Sequence, residues 1–304
     1  MVTINTNTDT YRGKPVVDFA MGDTVKGGDV IYRLTQDYDS EESQRDLFDS
    51  LLAQVVPSSI EALIIGPWSE AHDQSPEGYL QGLIERRAEL SSLKALFVGD
   101  MTFEECEISW IIQTGYNDLL AAYPMLESLR IRGSSQLKLQ PFEHAHLQEL
   151  VIECGGLPSV IVDTIAASKL PALRHLELWL GDANYGFDGD LTTYQRLIAT
   201  IQPERLEYLG LRDASISDEL AVWLATQAWV SSLRVLDFSL GTIGDVGAQA
   251  LCEGVDLSRL ERVDLSHHYI SSEWQQRLKA RGYPVVLDDP NEEDEGERYV
   301  AVAE

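Results

Sequence analysis

The segment GDANYGFDGDLTT, residues 181–193, sets four oxygen ligands at even steps: Asp182, Asn184, Asp188 and Asp190. Hard divalent cations take carboxylate and amide oxygens at such spacing, so the chemistry it suggests is calcium binding. The pattern fails in detail, because Phe187 stands where an EF-hand loop needs glycine and Thr193 where its bidentate glutamate belongs. The expected role is a long turn whose Asp190 caps a helix over residues 191–201. His144 and His146, two apart in FEHAHLQEL, could share a strand face, but no cysteine completes a zinc site at usual spacing. His267 and His268 are adjacent and would point to opposite sides of a strand, which makes them poor joint ligands.

The three cysteines, Cys106, Cys154 and Cys252, are too far apart for a disulfide framework or a zinc knuckle and read as reduced structural thiols. No glycine-rich phosphate loop and no G-x-S-x-G elbow occurs. The expectation is therefore no catalytic residue, no metal, no cofactor and no enzymatic activity.

The elements that would have to position any chemistry are repeats. The pattern L-x-x-L-x-L recurs eight times: Ile60-Leu63-Ile65, Leu93-Leu96-Val98, Leu126-Leu129-Ile131, Leu147-Leu150-Ile152, Leu173-Leu176-Leu178, Leu206-Leu209-Leu211, Leu233-Leu236-Phe238 and Leu260-Val263-Leu265. First positions lie 33, 33, 21, 26, 33, 27 and 27 residues apart. Apolar residues two apart at the end of each hexad give the period of a strand. The segments 218–228, 245–253 and 271–281 show apolar residues at steps of three and four behind Ser or Asp, which predicts helices. A strand–turn–helix unit cannot bury both apolar faces alone, whereas stacked units bury them in one continuous core.

The last three repeats, above all LRVLDFSLGTIGDVGAQAL at 233–251, resemble the ribonuclease-inhibitor type of leucine-rich repeat. The whole chain is similar to a family of bacterial cytoplasmic leucine-rich-repeat proteins without an established biochemical role, and the acidic ending with a short apolar terminus is part of the likeness. The resemblance implies an α/β leucine-rich-repeat solenoid, a horseshoe or arc with a concave parallel β-sheet and convex helices. It departs from the usual repeat at the position where Asn or Cys commonly bonds the turn backbone. Here that position holds Trp68, Met101, Ser134, Gly155, Gly181, Ala214, Gly241 and His268. No asparagine ladder forms, so the turn amides need other partners.

Three regions follow: an N-terminal cap at 1–29, the solenoid at 30–287, and an acidic linker and tail at 288–304. Toward the N-terminus, residues 14–20 and 29–35 read as strands around a Gly27-Gly28 turn, and 41–55 as a helix with Leu47, Leu51 and Leu52 inward, the second strand and this helix forming an imperfect first repeat. A C-terminal strand is expected at 285–287. The tail carries eight acidic residues and one basic one. Its first ten residues read as a flexible linker and RYVAVAE as a short strand that docks back on the protein.

The strand residues that alternate with the leucines should face the concave sheet. They suggest a partner-binding groove made of Arg130, Arg132, Glu153, His175, Glu177, Trp179, Tyr208, Arg212, Asp237 and Asp264, because Tyr, Trp and Arg dominate interface hot spots. With 23 basic residues against 50 acidic ones, the formal charge is −27. That charge disfavours nucleic acid and anionic membranes and points to a protein partner with a basic surface. The N-terminus lacks a signal-peptide pattern and no apolar run reaches transmembrane length, so the expectation is a cytoplasmic protein, a monomer when free. Its expected function is a non-enzymatic interaction scaffold. The alternatives are an accessory subunit of an enzyme complex and a metal-dependent hydrolase using the 181–193 loop.

Overall fold

The computed structural model describes residues 5–302. The chain divides into two compact units at Ile152–Glu153. Among the described residues are twelve strands and eight α-helices, in an α/β arrangement.

The unit up to Ile152 begins with β1 (Thr10–Tyr11), which pairs antiparallel with β2 (Lys14–Phe19). From β2 onward the neighbours are parallel and follow chain order: β3 (Ile31–Leu34), β4 (Ala62–Ile65), β5 (Ala95–Val98) and β6 (Ser128–Arg132). Among the described residues of this unit the strand order is linear. Helices α1 (Gln44–Leu52), α2 (Glu77–Glu85) and α3 (Asn117–Ala122) connect strands and pack side by side. Leu47, Leu51 and Leu52 of α1 are buried, as their spacing predicts, and Phe48 joins them. Strand β7 (Glu149–Glu153) spans the division.

From Glu153 onward the same unit repeats. Helix α4 (Ser159–Ala166) leads to β8 (His175–Gly181), then α5 (Leu191–Thr200), β9 (Tyr208–Ala214), α6 (Ser217–Leu224), β10 (Val235–Asp237), α7 (Asp245–Gly254), β11 (Arg262–Asp264), α8 (Ser272–Ala280) and β12 (Val285–Val286). These strands are parallel and again adjacent in chain order.

Register explains why the repeats stack. The middle leucine of each hexad sits opposite that of the next: Leu63, Leu96 and Leu129 in the first unit, and Leu176, Leu209, Leu236 and Val263 in the second. All seven are buried. Each contributes roughly 1.5–3 kcal/mol of apolar burial, and a slip of one residue would turn the whole column to the other face.

The turns after the strands find the substitutes that a missing asparagine ladder requires. Gln36 donates to Glu42 O at 2.7 Å while Tyr79 OH donates to its side-chain oxygen at 3.0 Å. Gln113 repeats the device, donating to Arg132 O at 2.7 Å and accepting from Tyr116 OH at 2.7 Å. His268, after β11, takes the Ile270 amide on Nδ1 at 3.1 Å. Its Nε2 faces Leu287 O at 3.4 Å. Burial lowers the His268 pKa, which favours the neutral ring this pairing uses. At Gly181 the ladder position needs glycine outright. Its φ is +73°, and a Cβ there would lie 1.8 Å from Gly155 O.

Candidate functional site

The second unit gathers most of the expected groove residues on one sheet face. On β8, His175, Glu177 and Trp179 alternate with Leu176, Leu178 and Leu180, and on β9 Tyr208, Gly210 and Arg212 alternate with Leu209 and Leu211. Strand alternation puts the first set opposite the leucine column. Arg212 is the hub. Its Nη1 donates to Glu177 Oε1 at 2.7 Å and its Nε to Ser239 Oγ at 2.8 Å, with Asp237 Oδ2 at 3.5 Å. The guanidinium lies 4.8 Å from the Trp179 ring centroid, and the indole Nε1 donates to the same Glu177 oxygen at 2.8 Å. Tyr208 OH donates to Asp237 Oδ2 at 2.7 Å, and the Ser239 amide holds Asp237 Oδ1 at 2.8 Å. Gly210 leaves room for this closure, since a Cβ would stand 2.9 Å from the Tyr208 ring and 3.2 Å from Glu177.

The network is desolvated. Trp179 is 0% exposed, and Arg212, Glu177 and Asp237 are buried beside it. Burial pushes the Asp237 carboxyl upward against the opposing pull of Arg212. Burial works to lower the Arg212 pKa, but Glu177 and Asp237 outweigh it and hold the guanidinium above its ordinary value. Burial and the neighbouring carboxylates also raise Tyr208, so its hydroxyl remains a donor.

Sequence alternation assigns these residues to a face, but it does not show that Glu177, Trp179 and Arg212 satisfy one another there instead of meeting solvent. What stays accessible is the column at the strand entries. The His175 ring stacks on Tyr208 at 3.9 Å with 3° between planes, Val235 is half-buried, and the Arg262 side chain is 49% exposed while paired with Asp264. Asp264 itself is buried and accepts from the Ser266 amide at 3.0 Å.

This chain is similar to a solved protein from Bacteroides fragilis. That crystal structure, a structural genomics target, is 29% identical, covers 86% of this chain and 74% of its own, and superposes with a TM-score of 0.76. No family model matches the chain, and no curated protein matches it.

In the first unit an apolar part of the sheet face, around Ile64 and Phe97, is covered by the chain itself. Tyr11 packs with Ile31, Ala62, Ile64, Ala95 and Phe97, its ring centroid 6.3 Å from that of Phe97. Its hydroxyl is 3.3 Å from Ser128 Oγ, and burial raises its pKa to about 12. Two expected groove residues serve this cover: Arg130 and Arg132 lie 4.8 and 5.3 Å from the Phe97 ring centroid. Arg132 is buried and also donates to Met101 O. Beside it the fully buried Asp100 accepts from the Thr8 amide at 3.1 Å and from Arg33 Nη1 at 2.8 Å, with Arg132 Nη1 at 3.6 Å. The segment before β1 is thus pinned across the face. Nothing in the polar N-terminal sequence gives that away except the lone aromatic Tyr11. Glu153, also expected in the groove, is fully buried.

The other candidate ligands are occupied in capping. Asp190 closes a capping box on α5, taking the Thr193 amide at 2.9 Å, and those Thr193 bonds lower its pKa. Asp182 takes the Asn184 amide at 2.8 Å, and Asp188 the Ser159 amide at 2.6 Å. His144 is buried, accepts the Leu147 amide at 3.0 Å and sits 3.0 Å from Tyr123 O. Among the described residues no three His, Cys, Asp or Glu converge as metal ligands, and no helix is long and apolar enough to cross a membrane.

The C-terminal segment docks back, though not as the short strand its alternation suggested. Among its described residues, Val302 is buried, its amide donating to Asp213 Oδ1 at 2.9 Å. Ala301 N donates to Leu240 O at 2.8 Å, and Arg298 Nη1 to Asp218 Oδ2 at 2.8 Å. The last two residues of RYVAVAE lie outside the described residues.

Proposed function

We propose that this chain is a leucine-rich-repeat protein of the ribonuclease-inhibitor-like type, acting as a non-enzymatic scaffold that binds a protein partner on the concave face of its repeat sheet. The observation that carries this reading is the buried Glu177–Arg212–Asp237 network with the His175–Tyr208 stack at its edge. The network fixes side chains before a partner arrives, so little rotamer entropy remains to be lost on binding. The stacked rings and the exposed Arg262 offer rigid aromatic and cationic contact area of the type that dominates hot spots. The docking surface is therefore centred on His175, Tyr208, Val235 and Arg262, with Trp179 and Arg212 as support beneath. The leucines paired in register across successive repeats and the helix that follows each strand support the repeat-family assignment.

A formal charge of −27 favours a partner with a basic patch, through faster encounter and rejection of acidic competitors. The test is affinity capture from native lysate with wild type and with the double variant His175→Ala/Tyr208→Ala, at two salt concentrations. Partners lost from the folded variant, and weakened by salt in the wild type, support the reading. An identical partner set for both proteins overturns it.

A further inference from the structure

Three successive repeats end their strands in the left-handed region with residues other than glycine: Asp213 at φ 51°, Leu240 at φ 68° and His267 at φ 58°. They are 27 residues apart, like the hexads that precede them. The amides of these residues bond onward, Asp213 N to Ser239 O, Leu240 N to Ser266 O and His267 N to Asp288 O, each at 2.8–2.9 Å. The remaining groups, the Asp213 carboxylate, the Leu240 carbonyl and the His267 ring, form a row that the sheet does not consume.

Residues 298–302 lie along that row. Val302 N meets Asp213 Oδ1, Ala301 N meets Leu240 O, and Tyr299 O sits 3.3 Å from His267 Nε2. Tyr269 OH bonds both the amide and the carbonyl of Tyr299 at 2.9 Å. Beside the row is a slot shaped for a guanidinium. Asp218 Oδ1 is held by the amides of Gly244 and Gly247 at 2.9 and 2.8 Å, which leaves Oδ2 for Arg298. Thr242 O accepts from the same nitrogen at 3.2 Å, and the Tyr269 ring centroid lies 5.8 Å from the guanidinium carbon. Gly244 makes the space, since a Cβ there would stand 2.2 Å from Arg298 Nη1.

We propose that this groove at the ends of β9, β10 and β11 is a peptide-recognition site, distinct from the sheet face, for a partner segment that runs extended and carries arginine followed by an aromatic and, three residues later, a β-branched residue. The chain's own residues 298–302 occupy it as a tethered competitor. The contact is a small one: Tyr299 is exposed, Arg298 is partly exposed, and the anchors are main-chain bonds, the buried Val302 side chain and the Arg298–Asp218 ion pair, while Arg298 Nε pairs with Glu293 of its own segment. Residues 288–297 join this segment to β12 through an acidic, Gly- and Pro-punctuated stretch. A short tether of this kind supplies an effective concentration on the order of millimolar, so a modest intrinsic affinity keeps the segment docked until a better ligand displaces it. A partner offering arginine matches the acidity of Asp218 and its surroundings.

The probe is a fluorescent peptide of sequence RYVAVAE. Protein truncated after Glu297, and full-length protein with Arg298→Glu, should bind it saturably, with full-length wild type weaker by about tenfold or more. The same peptide with glutamate for arginine should fail, and Asp218→Asn in the truncated protein should weaken binding by about tenfold. Circular dichroism and a cooperative melt establish that each variant is folded. No saturable binding to the folded truncated protein would overturn the proposal and leave the segment a fixed cap. A full-length dimer that vanishes on truncation would overturn it in favour of tail exchange between two copies. Tyr208→Ala, which tests the sheet face, should leave peptide binding unchanged, so the two readings fail separately.

Discussion

Val302 donates its amide to Asp213 Oδ1 across 89 residues of sequence, and the accepting carboxylate is 0% exposed. Its second oxygen has no hydrogen-bond partner among the described residues. Burial therefore raises the Asp213 pKa well above its ordinary value, against the smaller lowering by the Val302 amide and by Arg212.

A raised folded-state pKa means that the native protein holds the proton more tightly than the unfolded chain. The stabilisation is fully present below the unfolded value near 4 and is lost as pH climbs through the folded one. Asp213→Asn keeps an oxygen for Val302 and removes the titration. The variant should melt above wild type at pH 7, by about 1–2 kcal/mol, with the gap closing toward pH 4. Thermal melts across that range check it, and a gap that widens on acidification would contradict the assignment.

Trp179 and Tyr208 should separate support from contact. Trp179→Ala opens a cavity and strips a donor from buried Glu177, so it should cost about 3–5 kcal/mol in denaturant unfolding. Tyr208→Phe keeps the stack on His175 and loses only the bond to Asp237, for about 1–3 kcal/mol. Similar costs for the two would argue against the buried network as drawn.

Asp100 joins the N-terminal segment to the sheet face. Asp100→Ala leaves Arg33 and Arg132 short of their carboxylate and Thr8 without its acceptor, so the loss should reach about 3–5 kcal/mol. Hydrogen exchange at Thr8–Tyr11 should accelerate more than exchange in β9, measured in the same sample. Uniform acceleration would mean that Asp100 holds the fold at large and not this segment.

Gly181→Ala tests the positive-φ glycine at the end of β8. With φ at +73° and no room before Gly155 O, alanine should cost about 1–3 kcal/mol or more, visible as a lowered melting temperature. An unchanged melt would show that the turn after β8 can rearrange.

The strands were legible because one leucine in each repeat has to meet its counterpart in the next. Leu176, Leu209 and Leu236 do so, and β8, β9 and β10 fall where the hexads put them. The start of α5 was legible from its cap Asp190, whereas Asp218 and Asp245 fall inside α6 and α7, whose N-caps are Ile216 and Gly244, and α6 stops at Leu224, short of the expected 228. Strand β1 was not, because two residues carry no periodicity and its place is set by distant partners such as Ser128 and Phe97. The groove was only partly legible. Alternation assigns Trp179 and Arg212 to a face, but their burial depends on Glu177 and Asp237, brought alongside from the same and neighbouring repeats by register. Opposite charges on adjacent repeats of one face were the available signal. The guanidinium slot left a fainter one in Gly244 and Asp218, joined by the Gly244 amide on Asp218 Oδ1, and nothing in their spacing announces the arginine that fills it.

The pinning of Thr8 by Asp100 has a consequence for synthesis. The two are 92 residues apart. At ordinary translation rates of about 5–20 residues per second, the leading segment waits roughly 5–20 s before its acceptor has even been polymerised. Phe97 and its neighbours, in turn, acquire their covering strand only by reaching back to Tyr11, polymerised 86 residues earlier. Residues 298–302 face the reverse order: Asp213, Leu240 and His267 are all polymerised before Val302, so this segment finds its anchors already made.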